Sequence, residues 1–97
     1  MTHIILPAAF RDLGQIDDWV LENFGSSFAD ETKADLFNAF HLLSQFPNIG
    51  ATRPELTKKP FRFFLLKPYW IVYEPGTPTL IHRVYHSARD LRRLDKH

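Results

Sequence analysis

The hydrophobic period of this chain changes once, at Pro47-Asn48-Ile49-Gly50, and that switch restricts the fold more than any other feature. Upstream, apolar residues recur in steps of three and four; downstream, short β-branched and aromatic runs alternate with turn residues. A helical half is therefore followed by a sheet half. Neither a helical hairpin nor a three- or four-stranded sheet buries its apolar side alone, so the two must pack face to face.

At 97 residues the chain fits one domain, residues 1–97, of the α+β class. The expected architecture is an N-terminal strand and an antiparallel αα-hairpin packed on one face of a small antiparallel β-sheet, with a short C-terminal tail or helix. Nine Phe and two Trp supply a core of large side chains, so neither a disulfide nor a structural metal is required. The absence of cysteine excludes a thiolate zinc site and a Cys nucleophile, and no cofactor is expected. The start Met-Thr-His-Ile-Ile-Leu-Pro lacks the length and basic flank of a signal peptide, and no apolar run reaches the length of a membrane span. A cytoplasmic protein with no membrane partner is expected.

His3 to Leu6 predicts an edge strand ended by Pro7, which can open a helix because its missing N–H would be unpaired there anyway. Phe10, Leu13, Ile16, Val20 and Phe24 form the predicted apolar stripe of the first helix, flanked by Ala9 and Trp19. Arg11, Asp12, Gln15, Asp18 and Glu22 fall on its wet side. Asp17, Asp18 and Glu22 lack the His or fourth oxygen that would close a metal site. Gly25 is placed to end this helix, and Ser27 with Asp30 predicts a capping box for the next. The second stripe comprises Phe28, Ala29, Thr32, Leu36, Ala39, Phe40, Leu43 and Phe46, with His41 solvated beside it. Ala51 to Pro60 reads as a loop, followed by strands over Phe61 to Leu66, Tyr69 to Tyr73 and Thr79 to His86. Strict alternation puts Arg62 and Arg83 on the sheet face away from the helices, free to converge on one anionic group, and turns His82 toward the helices.

Charge is divided along the same boundary. Residues 1–52 hold two basic against seven acidic side chains, a balance of −5, and residues 53–97 hold ten against four, a balance of +6. The basic half favours a polyanion or an acidic protein segment as partner.

The ordered set Phe24-Gly25, Pro47-Asn48-Ile49-Gly50, Arg53-Pro54-Glu55-Leu56, Arg62-Phe63, Ile71-Val72-Tyr73 and Arg83-Val84-Tyr85-His86-Ser87-Ala88-Arg89-Asp90 resembles the RelE/ParE toxin superfamily, most closely its ParE branch. The resemblance covers nearly the whole chain. It implies the toxin of a type II toxin–antitoxin system, serving plasmid or genome stabilisation. It also implies neutralisation by a cognate ParD-like antitoxin, DNA gyrase as the target, and contact with DNA only through the antitoxin complex. The target- or antitoxin-binding candidates are Arg53, Lys58, Lys59, Arg62, Arg83, Tyr85, His86, Arg89, Arg92 and Arg93.

The alternative is a RelE-like endoribonuclease that cuts mRNA on the ribosome. Such chemistry requires a base for the ribose 2′-OH, cations for the phosphorane and an acid for the leaving oxygen. Glu55, Arg62 with Arg83, and His86 are the residue types that fit those roles. In the preferred, gyrase-binding reading none of them is catalytic: Glu55 pairs locally with Arg53 or a lysine, His86 caps the strand end, and Ser87 opens a second capping box in which Arg89 pairs with Asp90. A direct DNA-binding regulator is least supported, because the basic residues lie on a sheet and tail rather than on a recognition helix.

Overall fold

A computed structural model describes residues 2–87. The elements run β1 (His3–Ile5), α1 (Pro7–Phe24), α2 (Ser26–Gln45), β2 (Ala51–Thr52), β3 (Arg62–Leu66), β4 (Tyr69–Glu74) and β5 (Thr79–His86). The sheet has five strands in the order β1-β5-β4-β3-β2. β1 lies parallel to β5, and the other three pairings are antiparallel. The sheet is therefore mixed rather than purely antiparallel, because the helical hairpin carries the chain from β1 across to the far edge. Residues Ala51–Thr52, read from sequence as loop, form that far edge strand against Arg62 and Phe63.

Pro7 occupies the first turn of α1, as expected. The buried line of α1 runs through Ala9, Asp12 and Val20, with Leu13 and Ile16 partly buried on the core. This line is rotated by about one residue from the predicted stripe, leaving Phe10 exposed. Trp19, Phe24 and Phe28 are also exposed, at 52%, 58% and 49%, and stack on one another at ring-centroid distances of 5.5 and 5.2 Å. At 18 residues α1 is about 27 Å long, and it departs from the sheet beside Ile81, past which β5 has only the residues up to His86, about 17 Å. The hairpin thus outruns the sheet, and its tip has no core to face. Phe46, at the other end of α2, is likewise exposed.

One residue joins the helices. Gly25, at φ 90° and ψ 175°, donates its N–H to Leu21 O and accepts from Ala29 N. That backbone region is open essentially to glycine alone. It is not the left-handed helical turn expected for a helix-closing glycine, and it starts α2 at Ser26. Ser27 therefore lies inside the helix, and no side-chain cap forms.

The main core lies between the hairpin and the sheet. Leu36, Phe40 and Leu43 of α2 meet Ile71 and Tyr73 of β4 and Ile81 and Val84 of β5. Each fully buried side chain of this size contributes about 1.5–3 kcal/mol. The opposite sheet face is not bare: Leu56 and Phe61 fold over Phe63, Val72 and Tyr85 to form a second, smaller core.

Candidate functional site

The last strand decides the site, and a bulge decides the last strand. Val72 pairs with Arg83 while Tyr73 pairs with Ile81, so His82 is an extra residue opposite that step. The bulge lets Ile81 and Val84 both face the helices. His82 instead lies with the second core, its ring 4.3 Å from that of Phe61, and its Nε2 meets Glu74 Oε1 at 3.0 Å. The expectation that His82 turns toward the helices is therefore corrected.

Beside it, Arg83 is held by Asp12. Arg83 Nε and Nη2 donate to the two Asp12 oxygens at 2.8 and 3.0 Å, and Asp12 Oδ2 also accepts the backbone N–H of Val84 at 2.9 Å. The third bond explains the placement. β1 ends at Ile5, and the chain then donates Leu6 N–H to Ile81 O and leaves for α1. Past that point β5 keeps β4 on one side but has no strand on its β1 side, and the carboxylate takes that strand's place. Asp12 is 6% exposed and belongs to the buried side of α1, which corrects its assignment to the wet side. The Asp12 hydrogen bonds outweigh desolvation and raise the Arg83 pKa further above its ordinary value. The guanidinium also lies 4.5 Å from the Tyr85 ring centre.

Arg62 is placed differently. It pairs with Tyr73, a main-core residue, and its Nη1 donates to Gly50 O at 2.6 Å. Tyr73 Oη accepts from Gly50 N–H at 2.9 Å and donates to Pro47 O at 2.7 Å. A side chain at Gly50 would place Cβ 2.5 Å from that oxygen, which explains the glycine of the Pro-x-x-Gly turn. Burial raises the pKa of the Tyr73 phenol, keeping the hydroxyl able to donate. Arg62 and Arg83 thus occupy opposite faces of the sheet and do not converge on one anion.

Glu55 sits in the loop after β2 and accepts from Arg53 Nε at 2.6 Å, a bond that lowers its pKa while leaving it exposed. Arg53 lies 6.0 Å from the Trp70 ring centre, and Lys59 lies 5.7 Å from that of Phe61. Lys58 is exposed on the same loop, whereas Tyr85 is buried. His86 ends β5 on the helix side, opposite Tyr69, whose ring it meets edge-on at 6.0 Å. It borders a groove of about 350 Å³ shared with Asp12, Gln15, Ile16, Trp19, Tyr69 and Val84. Ser87 donates its N–H to Pro68 O. Arg89, Arg92 and Arg93, and the capping box and Arg89–Asp90 pair expected after Ser87, lie outside the described residues. Among the described residues no cluster of three or more His, Asp or Glu could hold a metal, and no helix is long and apolar enough to cross a membrane.

A two-helix hairpin on a five-stranded mixed sheet, with its last strand clasped by the first helix, defines an α+β domain. It is similar to a chain of the chromosomal ParDE toxin–antitoxin system from P. aeruginosa, with a TM-score of 0.72 and 26% identity over 89% of this chain and 95% of that one. The family model described as the ParE toxin of the type II toxin-antitoxin system parDE matches residues 4–91, and the chain belongs to that family. No curated protein matches it.

Proposed function

We propose that this ParE-family toxin inhibits DNA gyrase by binding it and is neutralised by a cognate ParD-like antitoxin. The family match over residues 4–91 carries the reading. The charge division supports the antitoxin half of it: an acidic or amphipathic antitoxin segment laid over the basic half would neutralise Arg53, Lys58 and Lys59 together. The nuclease alternative loses its pair of phosphorane-stabilising arginines, since Arg62 and Arg83 stand on opposite faces of the sheet and do not converge on one phosphorus. A binding mode rather than bond-breaking chemistry suits residues so separated.

A supercoiling assay with purified, antitoxin-free toxin tests the proposal. Stoichiometric toxin is expected to block supercoiling and to leave ribosome-bound RNA intact. Unimpaired gyrase together with codon-specific RNA cleavage would overturn it.

A further inference from the structure

We propose that the cavity where the start of α1 meets the bulge of β5 is a phosphate-ester site. The cavity, about 460 Å³, is bordered by Pro7, Arg11, Lys59, Phe61, His82 and Arg83. Three separate parts of the chain thus bring cationic or titratable side chains to one place: α1, the segment before β3, and the β5 bulge.

The charge there does not cancel. Asp12 meets Arg83 and Glu74 meets His82, but Arg11 and Lys59 have no ion pair among the described residues. Three fixed cations against two carboxylates leave the cavity positive in either protonation state of His82. Asp12 also engages only Nε and Nη2 of Arg83, leaving Nη1 unused among the described residues. The Phe61 ring organises one wall, with the Lys59 ammonium 5.7 Å from its centre and the His82 ring 4.3 Å away.

This arrangement suits a phosphate ester better than a carboxylate. A phosphoryl group offers three acceptor oxygens and up to two negative charges, enough to engage Arg11, Lys59 and the spare Arg83 nitrogen together. Phe61 and Pro7 add an apolar wall against which the attached sugar or base can lie. The phosphate could come from a free nucleotide, whose terminal phosphoryl group offers those three oxygens, or from a nucleic-acid strand, whose internal phosphodiesters each offer two free oxygens and one negative charge to the same cations. The site is independent of the identity of the toxin's target.

Titration of the full chain, followed by backbone amide NMR, tests this with adenosine 5′-monophosphate, a short single-stranded DNA and succinate. We expect saturable shifts at Arg11, Phe61 and His82 with a phosphate ester, and at least a ~10-fold weaker affinity in the Arg11→Gln, Lys59→Gln double variant. Saturation by the mononucleotide identifies a free nucleotide as a ligand; saturation by the oligonucleotide alone identifies a strand. Both side chains are solvent-facing, so the double variant should keep the parent's thermal midpoint, and Lys59→Gln alone serves if it does not. The proposal fails if neither phosphate ester shifts these amides, if the variant binds as tightly as the parent, or if succinate binds equally well.

Discussion

Arg62 and Arg83 look alike in sequence, each the cation of a β-type run, and the sheet separates them by a single step of register. Arg62 stands opposite Tyr73, and Arg83 stands opposite Val72, the neighbouring residue of β4. Adjacent residues of one strand face opposite ways, so that step alone starts the Arg62 side chain on the helix side and the Arg83 side chain on the far side, from which its guanidinium still reaches Asp12 of α1. Their partners differ in kind as well. Arg62 fastens a turn through the Gly50 carbonyl, whereas Arg83 meets a carboxylate 71 positions away that also replaces a missing strand neighbour of Val84. The first clasp joins chain segments by backbone chemistry, and the second joins the first helix to the last strand by charge.

The sharpest way to break this comparison is Asp12→Ala. It strips Arg83 of its counter-charge and leaves the Val84 N–H without an acceptor, so it should cost about 3 kcal/mol in urea unfolding. That lies at the low end for a buried pair, because the Arg83 side chain keeps 21% of its exposure. A loss below about 1 kcal/mol would show that water replaces the carboxylate and that the clasp is not structural.

The Gly50 turn should be softer to chemistry and harder to volume. Gly50→Ala places a methyl 2.5 Å from Tyr73 Oη and must push the ring or the turn aside, at about 1–3 kcal/mol. Tyr73→Phe removes the acceptor of the Gly50 N–H and should cost about 1–3 kcal/mol by another route. Combined, the two should lose somewhat less than the sum of the singles, because phenylalanine removes the nearest atom that the new methyl strikes while keeping the ring carbons Cε1 and Cζ, 2.7 and 3.0 Å from it. Strict additivity in a double-mutant cycle would show that the Cβ contact is relieved elsewhere.

Much of this fold is legible in the sequence, for identifiable reasons. The period switch at Pro47 separates helices from strands, and Pro7 and Gly25 mark helix boundaries within a residue of where they fall. The losses have one common cause: sequence patterns describe one element at a time. Asp12 looks solvated because the helical wheel does not know that β1 stops three residues into the sheet. His82 is assigned to the wrong face because alternation fails at a bulge that no glycine announces. Trp19, Phe24 and Phe28 fit a core stripe but lie where the hairpin has outrun its sheet. The candidate site suffers most, since its residues come from α1, the loop before β3 and β5, and only tertiary structure shows which of them meet.

The smallest expected effect bears on the other arginine–carboxylate contact among the described residues, Arg53 with Glu55. At 2.6 Å its nitrogen–oxygen distance is shorter than either Arg83 bond, yet Glu55 is fully exposed. The hydrogen bond from Arg53 is the largest cause of the lowered Glu55 pKa, so Arg53→Gln should raise that pKa back toward the ordinary 4.5, as followed by side-chain carboxyl NMR. By sign, a carboxylate with a depressed folded pKa adds stability above its ordinary value and loses it as the pH falls through the lowered one. Solvent screens this contact, so the unfolding midpoint of Arg53→Gln should match the parent at neutral pH. A clear destabilisation would mean that Arg53 acts through its stacking on Trp70, 6.0 Å away, rather than through Glu55. An unchanged midpoint with a moved pKa would show that burial and the Val84 bond, rather than a short nitrogen–oxygen distance, make the Asp12 clasp structural.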